Sequence, residues 1–185
     1  MTTIVGIAGS LRKGSLNAML LRAAKDATPE GATLEIASIN GIPLYDGDVE
    51  VTGIPDVVRQ LKDQIAAAHG LLLVTPEYNN SIPGVFKNAI DWLSRPAADI
   101  GRVFRDRPVA LMGATTGRGG TLLAQAAWLP VLRTLQTLPW FGGRLGISGA
   151  PSVFDDKGAI TDDKVRGLLE RYMTGFAKFV AGARR

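Results

Sequence analysis

The segment IVGIAGSLRKGSLN, residues 4–17, joins a short apolar run to a polar stretch that contains two further glycines. The run Ile4–Ala8 lacks polar alternation, which predicts a strand buried on both faces, as in a parallel sheet. A helical pattern follows over residues 17–27, with apolar residues such as Leu20 and Leu21 on one face. A loop between such a strand and a helix directs backbone N–H groups and the positive end of the helix dipole to one place. The segment therefore predicts an anion site, and its hydroxyl, amide and cationic side chains suit phosphate best.

The same alternation of apolar and amphipathic segments continues to the end of the chain. Further strands are predicted at residues 33–39, 71–74 and 108–113, with a poorly defined fifth strand within 137–145. Helices are predicted from residues 53–55 to 69, at 83–94, at 121–135 with a kink or break at Pro130, and from 161–163 to about 181. Residues 40–53 are predicted to form a long loop. This order predicts one α/β domain over residues 1–185, with a parallel sheet covered by helices on both faces.

Composition excludes several classes of protein. Of the 185 residues, 46% are hydrophobic and 21% charged, which is typical of a globular domain. No apolar run approaches the roughly 18 residues of a membrane span, and we see no signal peptide, so we expect a cytoplasmic protein without a membrane partner. The net charge is +4, but the basic residues are scattered, which argues against nucleic-acid binding. The absence of cysteine excludes disulfides and thiolate chemistry.

Three polar loops follow the first, third and fourth predicted strands, at residues 9–17, 75–81 and 114–120. The carboxyl ends of parallel strands meet at one edge of the sheet, where doubly wound folds bind ligands. The first loop is not a nucleoside-triphosphate loop, because Ser15 stands where that motif requires lysine, and it lacks the G-x-G-x-x-G pattern of dinucleotide binding. Its local sequence also fits a plain turn rich in small residues.

The loop at Gly9–Asn17 resembles the G-S-x-R-x-x-S-x-N motif of the NAD(P)H-dependent FMN reductases. Residues Thr75–Asn79, followed by Ser81–Gly84, resemble the second signature of that family, and Lys87–Trp92 extends it along the next helix. The resemblance runs from about residue 4 to 120 and more loosely beyond. It implies a flavodoxin-like three-layer sandwich whose five parallel strands have the order 2-1-3-4-5.

The resemblance also implies which residues bind FMN. In the first loop, the phosphate would be held by Ser10, Arg12, Ser15 and Asn17, with backbone N–H groups from Ser15 and Leu16. In the second loop, the isoalloxazine ring would lie along Pro76, Glu77, Tyr78 and Asn79, and Ser81 would fix the turn that follows. We expect Glu77 to contribute its backbone, with its carboxylate serving as a helix-end or interface charge. In the third loop, the polar edge of the ring would meet Thr115, Thr116 and Gly117.

The third loop departs from the family pattern. It keeps Gly117 and Gly120 at the family spacing, but Thr121 replaces the second glycine and Leu123 stands at the arginine position. Arg118 is new; it either steers the extra phosphate of NADPH or is an ordinary exposed arginine. The family assembles as dimers or dimers of dimers, so we expect a homodimer or homotetramer. Trp128 and Trp140 are expected at its interface, and Trp92, on the helix at 83–94, is expected in core or subunit packing.

The predicted reaction is hydride transfer from NADPH or NADH to FMN, followed by reduction of a small-molecule acceptor such as a quinone, free flavin, chromate or azo compound. No catalytic side chain and no metal are expected, because the flavin carries the chemistry. The single histidine, His69, is expected at a helix end in a structural role. Two alternatives remain: a one-electron carrier, whose usual T-x-T-G-x-T loop and acidic surface are absent here, and a non-redox binding protein on the same fold.

Overall fold

The computed structural model describes residues 1–183. The strands are β1 (Thr2–Ala8), β2 (Ala32–Ala37), β3 (Gly70–Val74), β4 (Pro108–Ala114), β5 (Leu138–Pro139) and β6 (Leu145–Ile147). The helices are α1 (Leu16–Asp26), α2 (Gly47–Thr52), α3 (Asp56–Ala67), α4 (Gly84–Leu93), α5 (Ile100–Val103), α6 (Leu122–Thr134) and α7 (Asp163–Gly182). Within these residues, no helix combines the length and the apolar character needed to cross a membrane.

The strands form one parallel sheet with the order β2-β1-β3-β4-β5, which confirms the predicted order. The fifth position is divided between two short strands: β5 pairs with Pro108 and Val109, and β6 pairs with residues 112–114 of β4. The poorly defined fifth strand expected within residues 137–145 is present as the two-residue β5, and the additional strand β6, at Leu145–Ile147, was not expected. Between the two strands the chain leaves the sheet, and Trp140 packs edge-on against Tyr172 of α7.

Helices cover both faces of the sheet and divide the core into two clusters. Leu72 and Val74 of β3 pack in the cluster that includes α1 and α7, whereas Leu71 and Leu73 pack in the cluster that includes α3, α4 and α6. Successive side chains of a strand point to opposite faces, so the unbroken apolar run in β3 supplies both clusters. The three-layer arrangement that the sequence predicts is confirmed.

Two local expectations are corrected. Residues 40–53 contain the short helix α2, whose first turn is capped by the Asp46 carboxylate accepting the N–H of Asp48. Helix α6 continues through Pro130 instead of ending there. Pro130 is exposed, so the backbone hydrogen bond that proline cannot form is lost on the solvent side of the helix.

The tryptophans belong largely to the core of the chain itself. Trp92 and Trp128 are fully buried, and Trp140 packs against Tyr172 and Phe176 of α7. This burial contradicts the interface role expected for Trp128, and for Trp92 it agrees with core packing, one of the two roles expected for that residue. His69 lies just after α3. Its imidazole Nδ1 accepts the backbone N–H of Thr3 at 3.0 Å, and its backbone N–H donates to the carbonyl of Thr3 at 2.8 Å. This agrees with the structural role expected for it.

Candidate functional site

The three polar loops meet at a cavity of about 150 Å³ at the carboxyl edge of the sheet. The first loop, the second loop and the end of β4 with the start of the third loop each contribute residues to its lining. The cavity is lined by Ser10, Arg12, Ser15, Leu16, Asn17, Pro76, Glu77, Tyr78, Ala114, Thr115 and Thr116. Of the residues expected to bind a cofactor, Asn79, Ser81 and Gly117 do not line it.

The first loop presents hydrogen-bond donors and one cation. Ser15 caps α1, because its Oγ accepts the N–H of Ala18 at 3.2 Å. Helix α1 begins at Leu16, so the N–H groups of its first turn have no carbonyl partner within the helix. Arg12 is exposed and takes part in none of the ion pairs formed within residues 1–183. The loop therefore combines hydroxyl groups, N–H groups and a guanidinium that is available to an anion.

Asn17 joins the first loop to the third. Its buried amide donates from Nδ2 to the carbonyl of Ala114 at 2.8 Å and accepts the N–H of Ala114 at Oδ1 at 2.9 Å. Nδ2 keeps a second hydrogen for a ligand. No local pattern in the sequence signals this tie, because its partners are 97 residues apart.

The second loop is shaped by a tight turn. Tyr78 and Ser81 exchange two backbone hydrogen bonds, at 3.1 and 3.0 Å, around Asn79 and Asn80. Both asparagines have positive φ values, 50° and 61°, as a type I′ turn requires and as asparagine tolerates. The side chain of Tyr78 lines the cavity and is half exposed. Asn79 and Ser81 thus shape the turn rather than line the cavity.

The Glu77 carboxylate points away from the first loop, to the start of α6. Its Oε2 accepts the N–H groups of Leu123 and Ala124, at 2.9 and 3.0 Å. This agrees with the hypothesis of a helix-end charge, and it leaves the backbone of Glu77 for a cofactor. No local pattern in the sequence indicates that Glu77 caps α6, since Glu77 and Leu123 are 46 residues apart.

The third loop is fixed at its base by the segment that follows β6. Thr115 donates its N–H to the carbonyl of Ile147 and accepts the N–H of Ala150 at its own carbonyl, both at 2.9 Å. The N–H of Gly117 is engaged by Oγ1 of Thr115 at 3.2 Å, so Gly117 stabilises the loop. Thr116 lines the cavity and is exposed, which leaves its hydroxyl available to a ligand.

This donor set fits the phosphate monoester of FMN. A phosphate dianion favours several N–H and O–H donors together with a guanidinium, and the first loop supplies each of them around α1. Pro76, Tyr78 and Thr116 provide apolar and polar surface beside it for a flat ring. Larger cavities lie elsewhere, among them an apolar groove of about 380 Å³ between α6 and residues 139–144 and a cleft of about 490 Å³ between α1 and α7, and neither of these two contains the three polar loops.

The sheet order and the phosphate-type loop at its carboxyl edge define a flavodoxin-like protein. Residues 2–151 match the family model of the NADPH-dependent FMN reductases, and the chain belongs to this family.

Similar proteins cover nearly the whole chain. An NAD(P)H-dependent FMN reductase of Pseudomonas aeruginosa is 42% identical over 177 residues, which are 96% of this chain and 94% of that protein. A 2-hydroxy-1,4-benzoquinone reductase of a Burkholderia species is 37% identical over 181 residues, 98% of this chain and 97% of that protein. Among solved structures, FerB, a flavoenzyme NAD(P)H:(acceptor) oxidoreductase from Paracoccus denitrificans, has a TM-score of 0.89 at 30% identity and covers 99% of each chain.

Proposed function

We propose that this protein is an NAD(P)H-dependent FMN oxidoreductase that takes hydride from NADPH or NADH and passes electrons to a small acceptor. The observation that carries the proposal is the meeting of the three loops at one cavity, with an unpaired Arg12 beside the start of α1. FMN, when bound, supplies the hydride-accepting chemistry that no side chain in the cavity provides.

The residues of the chain act as binding groups in this proposal. Ser10, Arg12 and Ser15 hold the phosphate together with the first-turn N–H groups of Leu16 and Asn17. Pro76, Glu77 and Tyr78 lie along the ring, with Glu77 contributing its backbone because its carboxylate is bound to α6. Thr115 and Thr116 meet the polar edge of the ring. No acid or base among these side chains is required for turnover.

Quinones are the first class of acceptor to test. Relatives named quinone reductase include one from Pseudomonas putida that is 34% identical over 178 residues. Free flavin, chromate and azo compounds are further candidates, because a reduced flavin at an open site reacts with many acceptors. We propose in addition that residues 1–185 form one FMN-binding domain that works in the cytoplasm.

We also propose that the protein assembles as a homodimer or homotetramer. Support comes from large apolar side chains that are exposed near the groove beside α6, namely Leu122, Leu123, Leu129, Leu138 and Phe141. Apolar patches of this kind are typical of surfaces that bind another chain. Sedimentation velocity measures the assembly directly, and a monomer at micromolar concentration would contradict this part of the proposal.

Replacement of Arg12 by alanine tests the FMN site. Loss of a charge-assisted hydrogen bond to phosphate costs about 1.5–3 kcal/mol, so the Kd of FMN should rise about 10-fold to 100-fold. The Kd is measured by titrating apoprotein with FMN and following the quenching of flavin fluorescence. Arg171→Ala, an exposed arginine of α7 outside the cavity, is the control and should bind FMN as the wild type does.

Turnover is then measured as NADPH oxidation with a benzoquinone as acceptor. A wild-type protein that neither binds FMN nor oxidises NADPH would refute the proposed function. A protein that binds FMN but is inert to both NADPH and NADH would instead be a carrier or a binding protein. Equal FMN affinity in Arg12→Ala and wild type would remove Arg12 from the site.

A further inference from the structure

The residue that precedes helix α6 does not cap the helix with its side chain. The residue before it, Thr121, is buried and has a left-handed backbone conformation with a φ of 61°. Its hydroxyl accepts a hydrogen bond from Nε2 of Gln125 at 3.1 Å and makes no bond to the first-turn N–H groups of the helix. These N–H groups therefore depend on a partner from another part of the chain.

Glu77 of the second loop is that partner. One carboxylate oxygen accepts the N–H groups of Leu123 and Ala124, at 2.9 and 3.0 Å, while the N–H of Leu122 bonds to the carbonyl of Gly119 at 3.1 Å. A carboxylate at this position also interacts favourably with the positive end of the helix dipole. The second loop thus holds the start of α6 by a charge-assisted contact.

This contact lies between two walls of the cavity. Pro76 and Tyr78, which flank Glu77 in the chain, line the cavity together with Thr115 and Thr116. The third loop is anchored to the end of β6 and the segment after it as far as Gly117; residues 118 and 119 are exposed, and Gly120 and Thr121, which lead into α6, are buried. The distal end of the third loop is therefore tied to the second loop through Glu77.

We propose that Glu77 is a positioning residue, whose carboxylate fixes the third loop against the second and so sets the width of the cavity that receives FMN. The proposal rests on the function proposed above. It assigns to the side chain of Glu77 a role separate from the backbone contact with the flavin.

Three variants test this role. Glu77→Ala removes the cap, whereas Glu77→Gln keeps an oxygen able to accept the same two N–H groups and loses only the charge. Asp162→Ala is the matched control, because the Asp162 carboxylate caps α7 in the same way, accepting the N–H groups of Lys164 and Val165 at 2.8 and 3.1 Å. Asp162 does not line the cavity.

The measurements are the thermal midpoint of the apoprotein, the Kd of FMN and the amide hydrogen exchange of α6 in the apoprotein. Both alanine variants should lose stability to a similar extent, since each removes one helix cap. Only Glu77→Ala should also weaken FMN binding, by about tenfold, which corresponds to about 1.4 kcal/mol. Glu77→Gln should restore the Kd to within about threefold of the wild type, because the charge–dipole part of the contact is the smaller one.

Two results of the Kd measurement would overturn the proposal. One is a Kd in Glu77→Ala within twofold of the wild type; the other is an equal loss of FMN affinity in Glu77→Ala and Asp162→Ala, which would indicate general destabilisation. The exchange measurement separates this proposal from the function on which it rests. If the wild type fails to bind FMN, the proposed function is wrong, and unchanged exchange at Leu123 and Ala124 in Glu77→Ala would independently refute the tie between the loops.

Discussion

Three cations lie at or beside the cavity and take part in no ion pair within residues 1–183. Arg12 lines the cavity, Lys13 adjoins Arg12 in the chain, and Arg118 follows Thr116 by two residues. All three are exposed. A cluster of unpaired cations raises the local concentration of anionic ligands. Under the proposed function, the anionic groups that bind here are the phosphate of FMN and the phosphate groups of NADPH.

Arg118 is expected to distinguish NADPH from NADH. Replacement of Arg118 by glutamine should raise the KM for NADPH about fivefold, the effect of losing roughly 1 kcal/mol of interaction with the extra phosphate. The KM for NADH and the kcat with either donor should change little. Steady-state kinetics with both donors measures the effect, and Arg133→Gln, an exposed arginine of α6, is the control. Equal changes in both KM values would show that Arg118 does not recognise that phosphate.

At the scale of secondary-structure elements, a buried lysine connects α3 to the turn after α4. Lys62 is only 1% exposed, and its Nζ donates to Oδ2 of Asp99 at 2.9 Å and to the carbonyl of Arg95. The hydrogen bond from Lys62 is the main reason why the pKa of Asp99 lies below its ordinary value. The helical pattern of α3 gives no sign of this burial, because the lysine lies beside the apolar face and finds its partners in another segment.

Replacement of Asp99 by asparagine should lower the free energy of unfolding by about 1–2 kcal/mol at pH 7. Loss of one partner of a buried ion pair costs about 3–5 kcal/mol, and the partial exposure of Asp99 reduces that figure. Because the pKa of Asp99 is lower in the folded than in the unfolded state, the stabilisation is present above its ordinary value of 3.8 and is lost as the pH falls through the folded pKa. The difference between variant and wild type should therefore shrink in acid.

Urea unfolding at several pH values checks this expectation. Asp63→Asn is the matched control, since Asp63 forms a surface pair with Arg102 at 2.6 Å and its side chain is 69% exposed. That variant should change stability by less than about 0.5 kcal/mol. Equal losses of unfolding free energy in the two variants would mean that the burial of Lys62 adds nothing to the stability provided by the Lys62–Asp99 pair.

At the scale of the whole molecule, α7 stabilises the sheet at the break between β5 and β6. The hydroxyl of Tyr172 donates to the carbonyl of Leu111 at 2.6 Å, at a position of β4 that neither short strand pairs with. Burial raises the pKa of Tyr172 well above its ordinary value of 10.0, so the hydroxyl remains protonated in the folded state. A side chain of α7 thus replaces a backbone partner that a continuous edge strand would supply.

Replacement of Tyr172 by phenylalanine should lower the free energy of unfolding by about 1–2 kcal/mol at pH 7, because the carbonyl of Leu111 loses its donor in a buried place. The unfolded state loses the tyrosine proton first, so the difference from the wild type should decrease as the pH rises above 10.0. Chemical unfolding monitored by circular dichroism measures it. Tyr78→Phe, which alters a half-exposed ring, should have little effect on stability; an unchanged stability in Tyr172→Phe would contradict the role of its hydroxyl.

The amino-acid sequence alone predicts the alternation of the main strands and helices, the parallel sheet and the position of the first two loops. These features follow from local causes: apolar periodicity, turn residues and motifs that lie within about a dozen consecutive residues. The run Leu71–Val74 is buried on both faces as its composition predicts, and the loop at Gly9–Asn17 lies at the carboxyl edge of β1. The role of these loops in binding FMN follows from the family resemblance and stays a prediction for each residue.

The contacts that hold the loops together and the way the sheet ends become visible only in the folded chain. Asn17 bonds to Ala114 and Glu77 to Leu123, across separations of 97 and 46 residues. The division of the edge strand and the burial of Trp128 likewise depend on which distant segments pack against them. Such contacts leave no periodic or local trace in a chain, because a side chain's partner is set by the three-dimensional path of the backbone and not by its neighbours in sequence.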